Sequence, residues 1–194
     1  MKNAGFIQKT IFSLIAILIV YVIFVAVVYS SISSKRQSVK SQFANIHATI
    51  ERKADLMPQL SSFISQNTVS TQQKNKWLNE TKDIQNTLAN TNDPKKLYKL
   101  EQRLDSISKL MMEKINLNPN KELLIRYQAQ IEGSENRINV ARYQYNQAVD
   151  VYNSAISGFA GTMVNDSFLH YKKAIYYHSD KVTGFEATKN IFES

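Results

Sequence analysis

The chain has 194 residues, room for one domain with accessories, and a formal net charge of +8. It contains no cysteine, which excludes disulfides, thiolate metal sites and cysteine nucleophiles. Five glycines and three prolines leave few turns, which disfavours a sheet-rich fold and suits a few long helices.

The charge is unevenly spread. Lys2, Lys9, Lys35, Arg36 and Lys40 give residues 1–40 a charge of +5 with no acidic residue, and the rest of the chain carries 19 basic and 16 acidic side chains. Most of the excess therefore flanks a hydrophobic segment, where basic residues meet lipid head groups, and does not imply nucleic acid. That segment runs from Ile11 to Tyr29, with Ser13 its only markedly polar member. As a helix it is about 28 Å long, close to the roughly 30 Å hydrocarbon core of a bilayer. Ile11, Phe12, Leu14, Ile15, Leu18, Val22, Phe24, Val28 and Tyr29 are the expected lipid-facing anchor. A cleaved signal peptide has a shorter apolar region and small residues before its cut, and Val28-Tyr29-Ser30 is a poor cleavage site. The expectation is a retained single-pass anchor in the cell membrane. Basic residues balance across the span, so the positive-inside count assigns no side.

After a polar neck at Ser30–Ser34, Val39, Phe43, Ile46, Ile50, Met57, Leu60 and Ile64 recur at spacings of three and four if Lys53 fills the gap. The aliphatic stem of Lys53 is expected to cover the seam while its ammonium reaches water. Pro58 predicts a kink or a helix restart. A thinner stripe, Trp77, Thr81, Ile84 and Leu88, marks a helix from about Ser70 to Ala89. Asp93-Pro94 then reads as an N-cap and first helical residue. The next helix carries Leu97, Leu100, Leu104, Ile107, Met111 and Ile115, and Asn118-Pro119 repeats the cap signature.

The longest run follows. Leu124, Tyr127, Ile131, Ser134, Ile138, Ala141, Tyr145, Ala148, Tyr152, Ala155 and Phe159 keep a three-four rhythm, the seam of a long helix packed on other helices. Gly158 and Gly161 are expected to close it. Residues 166–194 read as a short helix, with His170–Tyr177 continuing it, and then a tail. The predicted fold is all-α: a transmembrane helix in residues 1–34, then an antiparallel four-helix bundle over 35–165.

Within the long run, Ile131-Glu132-Gly133-Ser134-Glu135-Asn136-Arg137-Ile138, Ala141-Arg142, Tyr145-Asn146, Tyr152-Asn153 and Ile156–Phe159 resemble the signature of LemA family proteins. Arg52–Leu60 resembles the family's other block, an Arg-Arg-x-Asp-Leu-Ile-Pro-Asn-Leu run. Ala160 stands where the family has proline, and Asn116-Leu117-Asn118-Pro119 replaces its usual turn. The resemblance implies a bacterial single-pass membrane protein with a long-helix bundle and no established enzymatic activity. It also implies partners among other envelope proteins, proteases included.

The polar residues offer two readings. Asn139, Asn146 and Asn153 form a stripe at seven-residue intervals beside the seam, with Glu135 and Arg142 flanking it. The stripe serves either as a docking surface or, the reading favoured here, as a polar layer that pairs with side chains of a neighbouring helix and fixes register. Glu135, Arg137 and Arg142 are expected to bridge to the proline block, where Arg52 and Asp55 are available, and Asn136 belongs to the same polar cluster. Tyr127, Tyr145 and Tyr152 on the seam read as core. Lys95, Lys96, Lys99 and Arg103, interrupted by Glu101 and Asp105, read as a charged outer face.

No pattern carries chemistry. His47, His170 and His178 lack metal-site spacing, and there is no phosphate loop or nucleophile elbow. No catalytic residue, metal, cofactor or small-molecule substrate is expected. The leading reading is a scaffold or regulator of other membrane proteins, working by protein–protein contact. The alternative is a chemoreceptor-like sensor that passes conformational change through its anchor.

Overall fold

The computed structural model describes residues 2–64, 68–115 and 121–177. They are helical apart from short connections and a C-terminal stretch without regular secondary structure, and no strand occurs among them. The helices are α1 (Lys2–Ala54), α2 (Met57–Phe63), α3 (Thr71–Leu88), α4 (Pro94–Ile115), α5 (Lys121–Ser157) and α6 (Phe159–Val164), the last followed by one π-helical turn, Asn165–Leu169. The described residues fall into two compact units. One holds the chain up to Lys40 together with Ala148–Ala174; the other holds Ser41–Gln147 and the chain from Ile175.

In the first unit, the N-terminal part of α1 is long and apolar enough to cross a membrane, and none of its apolar window is buried. Ile11, Phe12, Leu14, Ile15, Leu18, Val22, Phe24 and Tyr29 are exposed, and Val28 is partly so. The unit buries Ile32, Val39, Val149, Tyr152, Ile156 and Val164. Here the seam departs from its expected course: Val149 and Ile156 are buried, whereas Ala148 and Ala155 are half-buried. Ideal helices advance by 3.6 residues per turn, so a seam counted in heptads drifts and the next larger apolar residue takes the inner position. Phe159 leaves it altogether, 87% exposed, because α5 ends at Ser157 and Gly158 starts α6. Gly161 lies inside α6, where a Cβ would overlap the Ala155 carbonyl oxygen, so only glycine permits this approach.

In the second unit, α1 stops at Ala54 and α2 restarts with Pro58 in its first turn, as the missing N–H of proline requires. Ser70 caps α3 by accepting from the Gln73 N–H, and Asp93 Oδ1 accepts from the Lys95 N–H ahead of α4. Cross-helix pairs set the directions. His47 Nε2 donates to the Thr91 carbonyl at 2.8 Å while Asp55 accepts from Gln85, so α1 and α3 run oppositely. Phe43 packs on Tyr145 while Lys53 meets Glu135, so α1 and α5 do too. Ile46, Ile50, Met57, Leu60, Ile84, Leu97, Leu104, Met111, Ile138 and Ala141 fill the core of this antiparallel four-helix arrangement.

Three expectations need correction. Lys53 does not reach water: its side chain is wholly buried, and Nζ donates to Asp105 Oδ1 at 2.6 Å and Glu135 Oε1 at 3.1 Å. Those two carboxylates satisfy the ammonium inside the bundle, which removes its need for solvent. Glu101 is not on a charged outer face but is 2% exposed. His170–Tyr177 does not continue a helix. His170 takes a left-handed conformation (φ 51°) as its N–H closes the π turn on the Asn165 carbonyl, and the chain has no regular secondary structure from there to Tyr177. The cap expected at Asn118-Pro119 and the tail from His178 lie outside the described residues.

Candidate functional site: tyrosine–asparagine pairs that hold the C-terminal stretch

A segment outside the helices has main-chain N–H and C=O groups with no helix to satisfy them, so those away from water need a partner. In the first unit those partners come from α5 and the π turn. Tyr152 Oη donates to the Lys172 carbonyl at 3.0 Å. Asn153 engages Ala174 twice: its Nδ2 donates to the carbonyl at 3.0 Å, and its Oδ1 accepts the N–H at 2.8 Å. Asn165 grips Tyr171 in the same way, at 3.1 and 2.9 Å. The Arg36 guanidinium lies over the Tyr171 ring, 4.2 Å from its centroid, a cation–π contact. Burial raises the Tyr152 pKa, and the Arg36 charge counteracts it.

The second unit repeats the rung. Tyr145 Oη donates to the Ile175 carbonyl at 2.7 Å. Asn146 Nδ2 donates to the Tyr177 carbonyl at 3.2 Å, and Oδ1 accepts the Tyr177 N–H at 2.8 Å. A step of seven along α5 is matched by a step of three along the held chain. A primary amide carries one donor and one acceptor side by side, the complement of a single residue's own N–H and C=O. These contacts read backbone and not side chains.

The exception is Tyr177. Its ring is buried and makes edge contacts with Tyr98 and Tyr145, at centroid distances of 5.9 and 6.4 Å. Its Oη donates to Glu101 Oε2 at 2.7 Å, and Arg142 pairs with both oxygens of the same carboxylate. The Arg142 guanidinium also lies 5.8 and 5.7 Å from the ring centroids of Tyr98 and Tyr177. Burial pushes the Tyr177 hydroxyl well above its ordinary pKa, against the lowering effect of Arg142. Burial, helped by the Asp93 charge, pushes Tyr145 up to about 12.

The polar residues singled out from the sequence thus separate. Asn146 and Asn153 hold main chain and not side chains of a neighbouring helix. Asn139 is exposed and accepts only from Arg142, at 3.4 Å; Asn136 is exposed. Arg142 goes to Glu101, Glu135 to Lys53 and Asp55 to Gln85, so apart from the long Arg142–Asn139 contact none of them meets another member of the expected cluster. Arg52 and Arg137 line a cleft with Thr49, Leu56, Gln130 and Ser134. Sequence reasoning missed Glu101, Asn165 and Tyr177. Glu101 had a signal: it lies four residues after Leu97 and three before Leu104, an acid on the apolar stripe. Tyr177 had none.

Fold and site together define an all-α helical-bundle protein with a long apolar N-terminal helix and side chains that bond the main chain of its own residues 171–177. The chain belongs to the LemA family, whose model matches residues 42–189. No curated protein matches it.

Proposed function

We propose that this protein is held in the membrane by the N-terminal part of α1 and acts by protein–protein contact, as a scaffold or regulator of other envelope proteins and not as an enzyme. One observation carries this reading: Tyr145-Asn146 and Tyr152-Asn153 hold the chain's own residues 172–177 through the main chain, a mode of contact that a partner's polypeptide could also use. A module that binds backbone tolerates many sequences, which suits a protein that engages others. The apolar window of α1, wholly unburied, supports the anchor.

Affinity purification of the tagged full-length protein from detergent extracts tests the proposal. The same envelope proteins should be recovered repeatedly, and Asn146→Ala with Asn153→Ala should change which ones are recovered while helix content stays constant. Recovery of nothing reproducible, or release of the protein from membranes by alkaline carbonate, would sink it.

A further inference from the structure

The cleft in the second unit lined by Thr49, Arg52, Leu56, Gln130, Ser134 and Arg137 has a volume of about 300 Å³. It shares no residue with the tyrosine–asparagine pairs. The neighbouring carboxylates are engaged elsewhere, Glu135 and Asp105 by Lys53 and Asp55 by Gln85. Neither Arg52 nor Arg137 has a hydrogen bond or ion pair among the described residues. Two guanidinium groups line one cleft with no carboxylate among its lining residues, which favours an anion there. Each offers the planar donor fork that matches a carboxylate.

The remaining lining narrows the ligand. Gln130 Oε1 is buried and unbonded, which leaves the amide nitrogen as its open end, a third donor beside the two guanidiniums. Thr49 and Ser134 spend their hydroxyl hydrogens on helix carbonyls, Thr49 on Asn45 and Ile46 and Ser134 on Ile131. Only their lone pairs face a ligand, so they can accept an N–H. Leu56 supplies an apolar wall. The set asks for an oxyanion, an N–H and an apolar group within one small molecule-sized space. Phosphate has only the first.

We propose that this cleft binds the free C-terminal carboxylate of a polypeptide. The carboxylate lies between Arg52 and Arg137, the terminal residue's N–H faces Thr49 and Ser134, and an apolar last side chain rests on Leu56.

Fluorescence polarisation with the full-length protein in detergent micelles tests this, using fluorescein-Gly-Gly-Ala-Leu with a free carboxylate as probe. Saturable binding is expected, weakened about tenfold or more when the terminus is amidated, since a charge-assisted hydrogen bond is lost. Arg52→Gln and Arg137→Gln should each weaken it to a similar degree, while Lys95→Gln, outside the cleft, should not. Equal affinity for acid and amide overturns the proposal without any variant having to fold. So does displacement of the peptide by an equal concentration of inorganic phosphate, which would mark a general anion site, and so does unchanged binding in both arginine variants.

Discussion

Tyr177 Oη donates a 2.7 Å hydrogen bond to Glu101 Oε2, joining residues 76 apart in sequence, and Arg142 holds the same carboxylate from α5. A carboxylate only 2% exposed is tolerable because both oxygens are bonded and one partner is a cation. Glu101→Ala should therefore cost about 3–5 kcal/mol, the range for breaking a buried ion pair from one side. Glu101→Gln should cost less, since an amide oxygen still accepts from Tyr177. Urea denaturation followed by circular dichroism distinguishes them; equal losses would mean that the charge is irrelevant.

Alkaline pH should weaken the second unit. Tyr145 has an ordinary pKa of 10.0, raised in the folded protein to about 12. Below pH 10 both states are protonated and its contribution is intact. Between about pH 10 and 12 the unfolded chain ionises while the folded one resists, so stability falls as pH rises. Tyr145→Phe should flatten that part of the stability–pH curve, and a curve unchanged from wild type would contradict the assignment.

Asn153 should govern the ordering of the held chain more than overall stability. Asn153→Ala removes both bonds to Ala174, and Asn153→Asp removes the donor while setting a carboxylate against a carbonyl. Each should speed exchange of the Ala174 amide hydrogen by about 10- to 100-fold, corresponding to roughly 1–3 kcal/mol for unmade bonds. Exchange at core amides such as Leu104 should stay as it was.

Lys53 separates packing from charge. Its partners are 32% and 45% exposed and can rehydrate, so Lys53→Met should leave stability within about 1 kcal/mol or raise it. Lys53→Ala should lose about 2–4 kcal/mol through the cavity left behind. If methionine proved as damaging as alanine, the ion pairs and not the volume would hold this position.

Gly161→Ala should destabilise the end of the first unit by about 1–3 kcal/mol, because the new methyl meets the Ala155 carbonyl and α6 must shift. Limited proteolysis reads this directly, as faster cleavage around Gly158.

Much of the fold was legible because helices declare themselves locally. The stripes Trp77-Thr81-Ile84-Leu88 and Leu97 to Ile115 are buried as their spacing predicts, and Asp93-Pro94 starts α4 where proline's fixed φ and missing N–H favour it. Burial of Lys53 and Glu101 was not legible. A charged residue on an apolar stripe reads the same whether it snorkels to water or finds a counter-charge, and the choice depends on what another helix brings opposite.

The repeated Tyr-Asn unit shows the same division. Its seven-residue spacing places both copies on one face of α5, and periodicity alone determines that. What the face holds was decided only in three dimensions. His170–Tyr177 carries no pattern that forbids a helix, and it stays out of one where Asn153, Asn146 and two tyrosine hydroxyls offer its main chain partners from residues 20 to 31 positions away. Local spacing sets which side chains share a face; the competition for a backbone N–H or a buried charge is settled by whatever distant group arrives within bonding range.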